Sequence, residues 1–171
     1  ATYPTSYIPT YGVSQTRLVE NCNLSNAASI IGQTQGTIYL EYIPPVSTSG
    51  LFWLQVRESG GFDNWIFMGT DDNRYRFYAE FNNSNKLSFL TPKINGLQKM
   101  CISYNSATGV NAYLNGTKVA SSIGSFTINN PLSIVEFKPQ TLQTSESGNV
   151  NQTLLFPTAL TDSECIELTT I

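Results

Sequence analysis

Asn111-Ala112-Tyr113-Leu114-Asn115-Gly116-Thr117-Lys118-Val119-Ala120 sets an Asn-Gly pair between two short runs of strand-forming residues. A two-residue connection between antiparallel strands needs positive φ at both central positions. Asn and Gly tolerate that conformation, so the stretch reads as a tight β-hairpin. Strict alternation elsewhere extends the β pattern: Ile38, Leu40 and Tyr42, then Phe52, Leu54 and Val56, then Tyr75, Phe77, Ala79 and Phe81 each mark the inward face of a strand. Further strands are predicted over 65–69, 86–90, 97–104, 110–114, 117–120, 132–137 and 149–156. Turn clusters separate them: Ser47-Thr48-Ser49-Gly50, Ser59-Gly60-Gly61, Asp71-Asp72-Asn73 and Asn129-Asn130-Pro131. Roughly ten strands at short spacing, with no helix before the last element, predict a sandwich or barrel. A two-sheet antiparallel jelly roll fits 171 residues best.

That length suits one well-buried domain. Residues 1–16, with two prolines and three tyrosines but no alternation, read as an extended lead-in, and 17–171 as a single β-sandwich domain. The chain opens on Ala1 and not Met, hence the expectation of a processed chain or an excised fragment. A formal net charge of −3 with no basic patch argues against a nucleic-acid partner. No apolar run approaches the roughly 20 residues of a membrane-spanning helix, so no membrane insertion is expected. Cys22, Cys101 and Cys165 are few and far apart, so they imply no disulfide scaffold and at most one disulfide within the chain; they are expected to be small semi-buried thiols. With no His and no CxxC pair, a zinc site and any His-based nucleophilic relay drop out. The four N-x-S/T triplets, at Asn23, Asn82, Asn115 and Asn151, are about what this Asn, Ser and Thr content produces by chance and imply no glycosylation.

The chain closes on a helix. Thr161 and Glu164 form a capping box, Asp162 suits the positive end of the helix dipole, and Ile166 and Leu168 are expected to face the body of the protein. The segment is a latch, with no catalytic role.

The hairpin segment Ser103 to Ala120 resembles the strand–turn hairpin of concanavalin A-like lectin and laminin-G-like domains. The closing Leu154-Leu155-Phe156 to Ala159-Leu160-Thr161-Asp162-Ser163-Glu164 is similar to the last strand and short helix with which many of those domains end. The opening Ala1-Thr2-Tyr3-Pro4-Thr5-Ser6-Tyr7-Ile8-Pro9-Thr10, followed by Thr16-Arg17, resembles the lead-in found before such domains in tailed-phage and prophage structural proteins. The resemblance implies a tail- or head-fibre module for host attachment, located on a virion or otherwise extracellular. Its partners would be a host cell-surface glycan or another surface receptor, together with other virion proteins, within a homotrimeric fibre. A purely structural module with protein contacts only is the main alternative.

A glycan-cleaving enzyme is disfavoured. Glycosidases need two carboxylates close together, and Glu41, Glu58, Glu80 and Glu136 sit singly on separate strands. Sugar binding needs flat apolar faces ringed by hydrogen-bonding groups. Strand parity nominates Trp53, Gln55 and Arg57 as one outward set and Arg76 and Tyr78, beside Glu80, as another. On that reading Trp53 is exposed and its truncation leaves stability nearly unchanged; the competing reading has it filling space beneath a neighbouring loop. Trp65 is either a further platform or core. No cofactor is expected, with one option: Asp71, Asp72 and Asn73 carry oxygens that suit Ca²⁺, which many laminin-G-like domains bind at one rim, although Asp-Asp-Asn is also what a turn alone selects.

Overall fold

A computed structural model describes residues 22–44, 51–139 and 149–171. Eleven strands are present among them: β1 Cys22–Leu24, β2 Gln35–Ile43, β3 Leu51–Glu58, β4 Trp65–Asp71, β5 Arg74–Phe81, β6 Ser84–Pro92, β7 Gln98–Asn105, β8 Gly109–Leu114, β9 Thr117–Ile123, β10 Leu132–Pro139 and β11 Asn149–Phe156. One helix follows, α1 Asp162–Thr169. The strands form two antiparallel sheets, one of six in the order β1-β10-β3-β4-β5-β6 and one of five in the order β11-β2-β7-β8-β9. The jelly-roll sandwich expected from the alternation is the fold. β1 and a single 3₁₀ turn at Ala27–Ser29 lack alternation long enough to be read from sequence. The lead-in and the Ser47–Gly50 turn lie outside the described residues.

The inward sets meet between the sheets. Ile38, Leu40 and Tyr42 of β2 pack with Leu54 and Val56 of β3, and Phe77, Ala79 and Phe81 of β5 join the same core. Period-two alternation dictates this, since successive side chains of a strand point to opposite faces.

The Asn115-Gly116 turn has φ of 49° and 76°, the two left-handed positions that the hairpin requires. Asn82 and Asn83, at 51° and 56°, make a comparable tight turn between β5 and β6. The capping box is present: Thr161 accepts from the Glu164 backbone N–H, and the Glu164 carboxylate accepts from the Thr161 N–H at 2.8 Å. The buried face of α1 is Cys165 and Thr169, with Leu168 packed beside them, while Ile166 is exposed. The expectation for Ile166 is therefore corrected. The i, i+3 and i+4 stripe through 165, 168 and 169 faces the sheet, which leaves 166 on the far side of the turn. The helix lies on the outside of the five-stranded sheet against Tyr39, Cys101 and Tyr113, and its end caps the hairpin tip, where Gly116 N–H donates to Thr169 Oγ1 at 3.1 Å.

Candidate functional site

The outer face of the six-stranded sheet carries the nominated residues, and the register brings them together. Arg57 pairs with Trp65 and Trp65 with Glu80; Gln55 pairs with Phe67 and Phe67 with Tyr78; Trp53 pairs with Gly69 and Gly69 with Arg76. Two outward sets read from separate strands are thus one continuous surface, with β4 between them.

Outward is not the same as exposed. Trp53 and Tyr78 retain only 4% and 8% of their accessible surface, and Gln55 is equally buried, which corrects the expectation of an open Trp-Gln-Arg face. The physical reason is Phe67. Its ring stacks on Trp53 with centroids 4.4 Å apart and on Tyr78 at 4.9 Å, and Trp65 packs against both Phe67 and Tyr78. The Arg76 guanidinium lies 5.4 Å from the Phe67 ring centre and 5.5 Å from that of Tyr78. Aromatic neighbours on adjacent strands are close enough to cover one another. The result is a second, smaller core outside the sandwich, nearer to the space-filling reading of Trp53 than to an open platform. Trp65 is outward and half-buried. Phe67 escaped the sequence reading, although its place between the inward residues Ile66 and Met68 carries the parity signal that finds it.

The polar members are held in place. Glu136 on β10 accepts from Gln55 Nε2 and from Arg57 Nε, the latter at 2.6 Å. Tyr78 donates its hydroxyl to Glu80, and burial together with that bond pushes the phenol up to about 12. Arg76 pairs with Asp71 at 3.2 Å. In the turn Asp71-Asp72-Asn73, Asp72 has φ of 54°, and the Asp71 carboxylate faces Arg76. Among the described residues no group of three or more acidic, His or Cys side chains gathers as a metal cage.

One end of this face opens. Phe62, in the loop joining β3 to β4, is 47% exposed, stands edge-on to Trp65 with centroids 5.5 Å apart, and lies under the Arg57 guanidinium at 5.1 Å. On either side of Phe62 in sequence, Glu58, Ser59, Gly60, Gly61 and Asp63 line a cleft of about 350 Å³, closed from the other side by Asn130 and Pro131. Glu58 is buried and accepts from Asn64 Nδ2 at 2.7 Å and from the Asp63 N–H at 3.3 Å. Asn64 Oδ1 in turn accepts from the Asn82 N–H, and Asn82 donates to Thr127. Two buried or half-buried amides therefore tie three loops into one rim. Sequence reading missed this corner because its residues come from loops that meet only in the folded chain.

The β3–β4 loop thus carries an apolar ring, Phe62, packed on the outer sheet face, and a polar cleft lined by its neighbours in sequence; rings and hydrogen-bonding groups are what a polyhydroxylated ligand needs. Paired-carboxylate chemistry is poorly served on the sheet itself. Glu80 and Glu136 are separated by β3 and β4, hence by about 14 Å, whereas glycosidase pairs stand roughly 5–9.5 Å apart.

No protein-family model and no curated protein matches the sequence. Solved structures do resemble the fold. The CBM40 of Ruminococcus gnavus IT-sialidase aligns at a TM-score of 0.63 with 14% identity, over 88% of this chain and 97% of that one. Domain 4 of AbnA, a GH43 extracellular arabinanase from Geobacillus stearothermophilus solved in complex with arabinotriose, aligns at 0.65 with 14% identity, over 88% and 72%. The botulinum neurotoxin serotype G binding domain aligns at 0.68 with 14% identity, over 86% of this chain and 39% of that one. The chain thus spans about two fifths of the toxin's binding domain and nearly all of the CBM40. At these identities the likeness is one of fold, an antiparallel jelly-roll sandwich.

Proposed function

We propose that this chain is a non-catalytic carbohydrate-binding module, and that its ligand engages the Phe62–Trp65 corner with the hydroxyls reaching into the Glu58–Asp63 cleft. The carrying observation is a single loop that presents an exposed phenyl ring, Phe62, and whose flanking residues line a polar cleft, on a rim held by Asn64 and Asn82. Support also comes from the fold neighbours, among them the CBM40 solved with α2,3-sialyllactose and the arabinanase domain solved with arabinotriose. In biological setting the module serves attachment to a host surface as part of a phage virion fibre, with other virion proteins as neighbours and three copies per fibre. The support for that setting is the resemblance of the first 17 residues to phage and prophage lead-ins.

A shallow corner of this kind binds weakly one at a time, and a trimer raises apparent affinity by effective concentration. The test is a glycan array probed with an engineered trimer of the domain, alongside Phe62→Ala and Trp65→Ala. Binding by the parent with at least tenfold loss in both variants supports the assignment. Undiminished binding moves the site elsewhere, and no binding to any glycan returns the chain to the structural alternative. One observation favours that alternative: Ile123 at the end of edge strand β9 is 93% exposed and offers a contact point for another protein.

A further inference from the structure

Cys101 and Cys165 take no part in the carbohydrate reading. They lie on the opposite side of the sandwich, in β7 and α1, where the sulfurs stand 3.9 Å apart and fully buried among Tyr39, Tyr113, Leu154, Leu160 and Leu168. Two cysteines separated by 64 residues in sequence are in sulfur–sulfur contact, while the third, Cys22, is exposed on β1.

We propose that Cys101 and Cys165 are a cross-linking site, joined by a reversible disulfide that clasps α1 to the five-stranded sheet. A disulfide needs the sulfurs about 2 Å closer than they stand. A small shift of α1 together with side-chain rotation can supply that movement, because Cys165 sits on an eight-residue helix that needs the sheet for its own stability and can adjust its seat on it. Besides the small apolar cluster around Cys101 and Cys165, α1 is held by polar bonds at its two ends: Tyr113 to Asp162 at 2.6 Å, Lys118 to Asp162 at 2.9 Å, Gly116 N–H to Thr169 Oγ1 at 3.1 Å and Lys99 Nζ to the Thr170 carbonyl at 2.8 Å. Such an element opens locally well before the sandwich does, and that opening admits a small oxidant.

The step needs a low-molecular-weight disulfide as co-reactant. The Cys165 thiolate attacks one sulfur of that disulfide, forms a mixed disulfide and expels a thiolate. Cys101 then gives up its proton and attacks the Cys165 sulfur, forming the Cys101–Cys165 bond and expelling the second thiolate. The protein loses two protons and two electrons, and the reagent becomes two thiols. Cys165 is the first nucleophile because it rides on α1, the element whose opening brings its sulfur to the reagent, while Cys101 stays in the central strand β7 of its sheet.

The experiment uses the whole chain carrying Cys22→Ser, equilibrated in a glutathione redox buffer at extracellular poise, then denatured in acid, alkylated and weighed. The expected result is an intact mass lower by two hydrogens, no alkylated cysteine, and a melting temperature raised by roughly 5–15 °C on closing a loop of this length. Cys165→Ser and Cys101→Ala in the same background should lose both the protection and the rise. Glycan-array binding should be the same in oxidised and reduced protein, since the clasp and the corner lie on opposite faces; its presence or absence bears on the carbohydrate reading alone. Two alkylatable thiols after equilibration, a persistent glutathione adduct, or cross-linking seen only after unfolding would each overturn the proposal.

Discussion

Trp53 faces Gly69 across the β3–β4 pair, and its indole Nε1 donates to the Thr70 carbonyl oxygen at 2.9 Å. Gly69 has φ of 155°, and a Cβ there would fall 1.9 Å from the Phe52 carbonyl oxygen. The absence of a side chain is therefore a backbone requirement at the position that the outer aromatic cluster uses as floor.

Truncation of Trp53 is consequently a stability experiment. Trp53→Ala should cost about 3–5 kcal/mol, because it empties a stacked, buried site and removes the indole hydrogen bond to the Thr70 carbonyl. Gly69→Ala should cost more than a surface substitution, through clash and forced φ together. Chemical denaturation of both variants measures this. A change below 1 kcal/mol for Trp53→Ala, roughly the range of surface substitutions, would restore the exposed-platform reading.

Tyr42 is fully buried between the sheets, and its hydroxyl has no hydrogen-bond partner among the described residues. Burial foremost, and then the neighbouring Tyr75, raise its ionisation well above the ordinary phenol range. Tyr42→Phe deletes an unsatisfied polar atom and keeps the ring stacked near Phe52, so stability should hold or rise by up to about 1 kcal/mol. A loss greater than that, measured by urea unfolding, would mean the hydroxyl is satisfied.

The capping box should behave as a local support. Thr161→Ala should cost about 1 kcal/mol and leave glycan binding unchanged. Asp162 is held below its ordinary 3.8 chiefly by the Tyr113 hydroxyl and then by Lys118. A carboxyl depressed in the folded state stabilises above its unfolded value and stops doing so as pH falls through the folded one. Melting temperature should thus decline below about pH 4, and the slope should be shallower in Asp162→Asn. Identical acid profiles for the two proteins would contradict the assignment.

Phe62→Ala should separate binding from stability. Its ring is nearly half exposed, so the melting temperature should shift by no more than a few degrees. Binding to a captured glycan should fall by at least tenfold. Unfolding of the variant, or full binding by it, would count against the corner.

Incubation with polysaccharides should release no new reducing ends. Of the acidic residues nominated from sequence, Glu80 and Glu136 are tied to Tyr78 and Arg57, whereas Glu58 shares the cleft with Asp63. Products that vanish in Glu58→Gln or Asp63→Asn would overturn the non-catalytic reading.

The sequence by itself determined the sheets. Alternation at Ile38-Leu40-Tyr42 and Tyr75-Phe77-Ala79 assigns faces because the strand period is two, Asn115-Gly116 specifies a hairpin because both residues tolerate positive φ, and Thr161 with Glu164 specifies a helix start. All three are local properties of the backbone. Only the tertiary structure decided how much water each outward residue meets. Trp53 and Tyr78 vanish beneath Phe67 and Arg76 because those groups arrive from other strands, at a register that no single strand encodes. The cleft is likewise decided late, since Glu58, Asp63 and Asn130 converge through the bonds of Asn64 and Asn82. So is the Cys101–Cys165 contact, where a helix and a strand 64 residues apart in sequence meet across the back of the sheet.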